Sequence, residues 1–397
     1  PLVGLPTGRN REFQEYIEPG IDHETLEPRT PRTKPMNIPP YTKIIQNLPT
    51  MVPFVGPETI ERQHGQPFSV RIGANESVFG ISLRAKEAMS EAVTGTWMYC
   101  DPEGYDLRMA LAQEHSIPIE NVILGAGIDD LLGIIVRTFM NPGEVVVASN
   151  GSYPTFAYHV HGFGGQLKTV PYRDDTNDLE ALVDAATEHN ARILFLANPD
   201  NPTGSFHGKE AVQELIDRLP SGCLFIFDEA YLDFVPADTI VPMICDDPRV
   251  VRVRTFSKAH GMAGARVGYA IAHGDIIDTF NKVRLHFGVN RVAQVGALAS
   301  LQDREFIRSV VQAVEEGKED YDKLGQELGI PALPSRTNFV SFDFGNNDRA
   351  VAVMNILIEH GVFVRMPGVL PLNRLVRITV GTPEDRSMFA EVLRKNL

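Results

Sequence analysis

Between about Ile81 and Val292 the chain alternates short, almost wholly apolar runs with longer amphipathic stretches. The runs are Val145–Ala148, Ile193–Ala197, Leu224–Phe227 and Val250–Phe256. Their length and β-branched content suit strands buried on both faces, as in a parallel sheet. Apolar residues at helical spacing lie between them, near Asp129–Phe139, Asp178–Glu188 and Lys209–Leu219. Strands alternating with helices predict an α/β fold, with a mostly parallel central sheet and helices on both faces. In such sheets ligands gather beyond the carboxyl ends of the strands.

The pattern changes at both ends. After Val292 comes a long charged helical stretch, Asp303 to about Leu328, with Phe306, Val310 and Val314 on one face. Strand-like Phe339–Phe344, Val362–Arg365 and Leu375–Val380, a helix over Arg349–Glu359 and a last helix from Pro383 complete a smaller α+β unit. At the other end, eleven of the 28 prolines fall within residues 1–57, where no apolar period persists. That segment cannot build its own core. Either a disordered tail or an extended arm fits residues 1–35; an arm is expected over Ile38–Pro57, with Ile44, Ile45, Leu48, Met51, Val52 and Phe54 as anchors. The expected division is an arm over 1–70, a large α/β domain over 71–300 and a small domain over 301–397.

Composition narrows the function. The formal net charge of −14 on 397 residues argues against nucleic acid and anionic membrane surfaces as partners. It leaves room for anionic small molecules, because a local pocket of arginines outweighs distant, screened carboxylates. Cys100, Cys223 and Cys245 are too few and too scattered for a disulfide framework or a zinc site, and no metal is expected. No apolar run approaches the ~18 residues a bilayer span needs, and the first residues lack a charged-then-apolar signal pattern. A cytoplasmic, reducing location is the expectation.

Six stretches carry chemistry, each at the end of an apolar run or within one. In Arg254-Thr-Phe-Ser-Lys258, a lysine follows a strand end beside the hydroxyls of Thr255 and Ser257, and Arg266 lies eight residues on. An amine so placed can form a Schiff base with a phosphorylated aldehyde whose phosphate the hydroxyls and guanidinium take; a solvated lysine is the plain alternative. Leu196-Ala-Asn-Pro-Asp-Asn-Pro-Thr-Gly204 is a rigid turn that fixes its asparagines, or an ordinary Asn-Pro turn. Phe225-Ile-Phe-Asp-Glu-Ala-Tyr231 ends a strand in a carboxylate suited to a protonated ring nitrogen, or to a helix cap. Leu124-Gly-Ala-Gly-Ile-Asp-Asp130 opens a helix whose N–H groups attract phosphate, and Tyr153 can stack on a planar ring or simply pack. Arg377 lies inside an apolar run, where its fork suits a carboxylate or a buried ion pair.

In this order and spacing, the Asn-Pro-Asp-Asn-Pro-Thr-Gly, Asp-Glu-Ala-Tyr, Ser-Lys-Ala and Arg-Ile-Thr-Val-Gly-Thr segments resemble pyridoxal-phosphate-dependent aminotransferases of the aspartate aminotransferase fold. The most similar subgroup is histidinol-phosphate aminotransferase, and the likeness runs from about Arg71 to the C-terminus. The resemblance implies Lys258 as the Schiff-base lysine, Asp228 as partner of the pyridine nitrogen, Asn201 and Tyr231 at the ring hydroxyl, and Tyr153 stacked on the ring. Gly127, Ile128, Asp129, Thr255, Ser257 and Arg266 resemble its phosphate cup, with Tyr99 reaching in from the partner of a homodimer. Arg377 is similar to the substrate carboxylate clamp and Arg365 to an arginine that contacts substrate phosphate, although internal pairing of Arg365 fits as well. Asn75, in Asn75-Glu-Ser-Val-Phe-Gly80, joins the substrate side.

The implied reaction moves an amino group from an amino acid or amino-alcohol phosphate to a 2-oxo acid such as 2-oxoglutarate. Aromatic aminotransferases and threonine-phosphate decarboxylases share most of the pattern. A ligand-sensing domain of a transcription regulator is disfavoured, since residues 1–57 offer no helix pair to read DNA. The chain departs from the family at Ser77 and Val78, where Asn-Pro is usual, at Ile128, where a small residue is usual, and in its long proline-rich beginning.

Overall fold

In the computed structural model, residues 39–48, 55–243 and 245–397 are described, with the backbone of the short strand Ile17–Glu18. Seven strands form the central sheet: β1 (Val122–Gly125), β2 (Val145–Ser149), β3 (Gln166–Val170), β4 (Ile193–Ala197), β5 (Leu224–Asp228), β6 (Val250–Thr255) and β7 (Gly268–Ile271). Their order across the sheet is β1-β7-β6-β5-β4-β2-β3. β7 runs antiparallel to both of its neighbours, while the contiguous β6-β5-β4-β2-β3 pairs are parallel.

The continuous apolar runs have a direct cause: successive residues of one strand feed two different cores. Ile193, Phe195 and Ala197 of β4 pack with Leu224 and Ile226 of β5 beneath the helices Ile128–Phe139 and Pro154–Gly162. Leu194 and Leu196, with Phe225 and Phe227, pack on the other face beneath Leu179–Glu188 and Lys209–Asp217. The Asp178 carboxylate caps the helix Leu179–Glu188 by accepting from the Ala181 N–H. β3 escapes the apolar-run criterion because it is an edge strand, with Gln166, Lys168 and Thr169 exposed.

A further core belongs to the C-terminal part. There β8 (Phe339–Asp343) pairs antiparallel with β9 (Leu375–Thr379), packed by the helices Arg304–Leu328, Asn347–Glu359 and Pro383–Asn396. Ile60, from the helix Pro57–His64, and Val70 and Ile72 are buried in this same core. Val70–Arg71 also pairs parallel with Val362–Phe363. The later part of the expected arm thus packs into the C-terminal unit. Before it, Ile44 reaches Gly164 beyond the helix Pro154–Gly162, while Tyr41 and Ile45 are exposed. Met51, Val52 and Phe54 lie outside the described residues.

The two cores meet at the Asn-Pro turn after β4: Ser341 Oγ of β8 donates to the Pro202 carbonyl at 2.8 Å and the Arg336 N–H to the Gly204 carbonyl at 2.9 Å. Gly204 has φ 80°, and a Cβ there would stand 2.6 Å from Ser335 Oγ, so the junction requires glycine.

Phe195 stacks on Phe156 at 4.2 Å between ring centroids, both fully buried. Phe195→Ala is expected to lower the free energy of unfolding by about 3–5 kcal/mol, read by chemical denaturation of the cofactor-free protein.

Candidate active site

β5 ends in Asp228, which the sheet register sets beside Ala197 of β4 and Val253 of β6. By strand alternation its side chain shares the face of Leu224 and Ile226, under the helix Ile128–Phe139. It is 4% exposed and accepts the Ala230 N–H at 3.0 Å. Burial, reinforced by the Asp129 and Glu229 carboxylates, pushes its pKa up to about 7. Glu229, one residue on, has the opposite electrostatics. Despite its burial, Arg252 and Arg254 hold its pKa down to about 2, through hydrogen bonds of 2.5–2.9 Å.

Lys258 follows β6. Its turn is held by Thr255 Oγ1, which accepts the Ser257 N–H at 3.0 Å and donates to Ser257 Oγ at 2.9 Å. Lys258 Nζ donates to the Asn75 carbonyl at 3.1 Å and lies 5.3 Å from the centroid of the Tyr231 ring. Burial first, then the Arg377 charge, lowers its pKa to about 8. Asn75 in turn donates from Nδ2 to the Tyr231 hydroxyl at 2.9 Å.

A cup for an anion lies beside these groups. Gly127, at φ 88°, precedes the helix Ile128–Phe139, whose first turn points free N–H groups outward. A Cβ on Gly127 would come within 2.5 Å of the Arg266 guanidinium, so only glycine permits this approach. Arg266 has φ 58° and pairs with Asp129 at 3.6 Å; Asp129 also accepts from the Tyr153 hydroxyl at 2.7 Å. Burial pushes the Tyr153 phenol well above its ordinary pKa, so it stays a donor.

Two arginines of the C-terminal unit lie next to this region. Arg377 on β9 donates to Asn201 Oδ1 and to the Gly73 carbonyl. Arg365 is buried, lies 5.3 Å over the Phe363 ring and donates to the Val55 carbonyl. A backbone bridge pairs Arg365 with Arg377. The turn that offers Asn201 is anchored by Asp200, buried and accepting from Tyr172 Oη, Asn177 Nδ2 and both the N–H and hydroxyl of Thr203.

The chain therefore gathers Lys258, Asp228, Tyr231, Asn75, Asn201, Arg365 and Arg377 with the cup of Gly127, Ile128, Asp129, Tyr153, Thr255, Ser257 and Arg266. Tyr99 stands apart. It is 79% exposed and stacks on Phe287 at 4.6 Å between centroids, and its carbonyl accepts from Arg291.

Pyridoxal phosphate fits this donor set. A carboxyl as buried as Asp228 gains from a cationic N–H, a buried amine of lowered pKa suits an aldehyde, and the glycine-arginine cup suits a phosphate. The family model for aminotransferase class I and II matches residues 69–393. The chain belongs to the class I and II aminotransferases. A histidinol-phosphate aminotransferase of Moorella thermoacetica is 32% identical over 91% of this aminotransferase and 94% of the relative. A second, of Pseudomonas fluorescens, is 34% identical over 83% of this chain and 89% of the relative. The crystal structure of histidinol-phosphate aminotransferase from Sinorhizobium meliloti, in complex with pyridoxal-5'-phosphate, superposes with a TM-score of 0.87 at 43% identity. It covers 90% of this chain and 98% of that one. A Thermus thermophilus aspartate aminotransferase, at 22% identity and a TM-score of 0.75, shares the fold. Like its family, this aminotransferase is a pyridoxal-phosphate-dependent transaminase.

Sequence reasoning passed over Thr379, Asn338 and Asp200. Thr379 carried a usable signal, because it lies two residues beyond Arg377 on one strand and so shares its face. Asp200 gave none, since its role lies in contacts with Tyr172 and Asn177.

Because the folded-state pKa of Asp228 is raised, its protonated form favours the cofactor-free fold, most fully below the ordinary value of 3.8. That advantage is lost as pH rises towards about 7. Asp228→Asn should therefore stabilise the cofactor-free aminotransferase at alkaline pH, by up to about 4 kcal/mol, and flatten this part of its pH–stability profile. Thermal melts across the pH range check this.

Proposed function

We propose that this aminotransferase moves the amino group of an amino-alcohol phosphate, histidinol phosphate, to 2-oxoglutarate, with Lys258 as the cofactor lysine. The observation that carries the reading is the antiparallel backbone bridge between Arg365 and Arg377, a pairing in which directly opposite residues project to the same face. A phosphate ester and a dicarboxylate are both anionic enough to use such a pair. The names of the relatives at 32–34% identity point to the same donor.

When bound, pyridoxal phosphate supplies an aldehyde that takes an amine and a ring that accepts the electron pair left on the substrate α-carbon. Lys258 Nζ is the amine displaced by the donor. Its lowered pKa leaves a useful neutral fraction near neutrality, so it removes the α-proton and returns one as general base and acid. The Asp228 carboxyl holds the proton on the ring nitrogen. Tyr231 and Asn201 would orient the ring hydroxyl, Tyr153 would lie against the ring, and Gly127, Ile128, Asp129, Thr255, Ser257 and Arg266 would hold the phosphate. Arg377 takes the carboxylate of the acceptor, Arg365 the phosphate of the donor, and Asn75 lines the same space. Ping-pong kinetics follow, because one amino group must leave as the oxo product before the second substrate binds.

The working unit in this reading is a homodimer. Leu83 at the start of the helix Leu83–Ala92, Trp97 and Tyr99 after it, and Leu285 before the helix Arg291–Leu301 are each more than 60% exposed. Apolar groups in such numbers suit a second copy of the chain, and Tyr99 would then serve the partner's phosphate cup. The compartment is the cytoplasm, in keeping with three free cysteines; among the described residues no helix is long and apolar enough to cross a membrane.

Lys258→Ala is expected to abolish turnover and to lose the label that borohydride fixes in the holoenzyme; a label retained elsewhere overturns the assignment. Arg365→Gln should lower kcat/KM for histidinol phosphate by about 10- to 100-fold and leave that for phenylalanine unchanged. Assays with histidinol phosphate, phenylalanine and threonine phosphate, each with 2-oxoglutarate, test the donor; carbon dioxide release instead of glutamate formation would mean a decarboxylase.

A further inference from the structure

We infer that Thr379 and Asn338 are positioning residues for Lys258, acting on its amine through the carbonyl of Asn75. The inference rests on Lys258 being the cofactor lysine. Asn75 is buried with φ 55°, a left-handed conformation that a non-glycine residue adopts at a cost and keeps only when its surroundings hold it there. Thr379 Oγ1 supplies much of that hold: it accepts the Asn75 N–H at 3.0 Å and donates to Asn75 Oδ1 at 3.2 Å. Tyr231 fixes the far end of the same side chain.

The carbonyl thus oriented has two acceptor directions, and both are used. Lys258 Nζ donates to it at 3.1 Å, and so does Asn338 Nδ2, also at 3.1 Å. Asn338 directly precedes β8, whose first residue, Phe339, is in register with Thr379 of β9. The Asn338 carbonyl accepts the Val380 N–H at 2.8 Å, so both positioning residues are locked to the same sheet edge. Thr379 is 1% and Asn338 2% exposed.

The arrangement has a mechanical meaning. An amine on a flexible four-carbon stem has many orientations, and one fixed carbonyl selects among them. Whenever Lys258 is not covalently engaged, its amine has a defined resting point. β9 also carries Arg377 two residues earlier, so the arginine that faces the substrate and the clamp on the lysine's acceptor ride on one strand. The charged groups around Nζ are Arg377 on β9, Glu76 beside Asn75, Asp129 at its helix start and Asp228 on β5. None of them is altered by the substitutions below.

The test compares Thr379→Val, which keeps the shape and loses the hydroxyl, with Thr379→Ser, which keeps the hydroxyl. In the cofactor-free protein, trace labelling with acetic anhydride at a series of pH values, read on the Lys258 peptide, reports the titration midpoint of the amine. Thr379→Val should lower that midpoint by about half a pH unit or more, because a displaced carbonyl no longer favours the protonated amine. In the holoenzyme its kcat should fall about tenfold with little change in KM. Thr379→Ser should restore both. If Thr379→Val does not fold, Asn338→Ala removes the second donor and should move the midpoint the same way. An unmoved midpoint in the folded variant overturns the inference, whatever happens to the melting temperature. A borohydride label on Lys258 alongside an unmoved midpoint sinks this inference alone; a label on another lysine sinks the site assignment beneath it.

Discussion

The site depends on keeping one amine dry. Lys258 Nζ lies in a pocket walled by the Tyr231 ring and the Asn75 backbone, and burial brings its pKa down to about 8. In water the same amine would be almost wholly protonated near neutrality and useless as a base. Everything around it serves that desolvation or compensates for it. The sheet supplies apolar strands up to Asp228 and Thr255, and the C-terminal unit closes the other side with β8 and β9. Neither core alone encloses the amine, which explains why Pro57–His64 and Val70–Ile72 are tied into the C-terminal core: the chain between them and Lys258 must return to the pocket with Asn75 in register.

Two adjacent carboxylates show how finely the sheet partitions charge. Asp228 and Glu229 are both buried at the end of β5, yet one is pushed up to about 7 and the other held near 2. Alternation of side chains across the sheet separates them: Glu229 meets Arg252 and Arg254, themselves two apart on β6, on one face, while Asp228 faces the cofactor side. The buried triad does not by itself argue for stability, because desolvation of three charges offsets much of their attraction. Its service is to occupy Glu229 so that Asp228 keeps its own chemistry.

Much of this was legible in the chain. β2, β4, β5 and β6 declare themselves as apolar runs because both of their faces are buried, and Lys258, Asp228 and Asn201 stand out because each lies at or just beyond the end of one. β3 is hidden by its exposed edge, and β1 and β7, four residues each, are too short to show a period. The helix Pro57–His64 is masked by its proline-rich surroundings, although proline at its first position and Gly65 after its last fit a helix well. Thr379 is a different case: its place on the face of Arg377 could be read from the strand pattern, but its contact could not, since its hydroxyl acts on Asn75, 304 positions away in sequence. The role proposed for Tyr99 cannot be read from the fold of this chain, since its side chain is largely exposed.

The hydrogen bond from Arg365 to the Val55 carbonyl ties this arginine to the chain just before the helix Pro57–His64, where Val55 packs against the C-terminal core. Under the proposed role of Arg365, an incoming anion would meet a guanidinium already engaged by a neutral backbone dipole, and binding would exchange one acceptor for another. Affinity would then depend partly on how firmly Val55 and the helix Pro57–His64 after it are seated. Insertions or deletions upstream can retune selectivity while every side chain that touches the ligand stays the same.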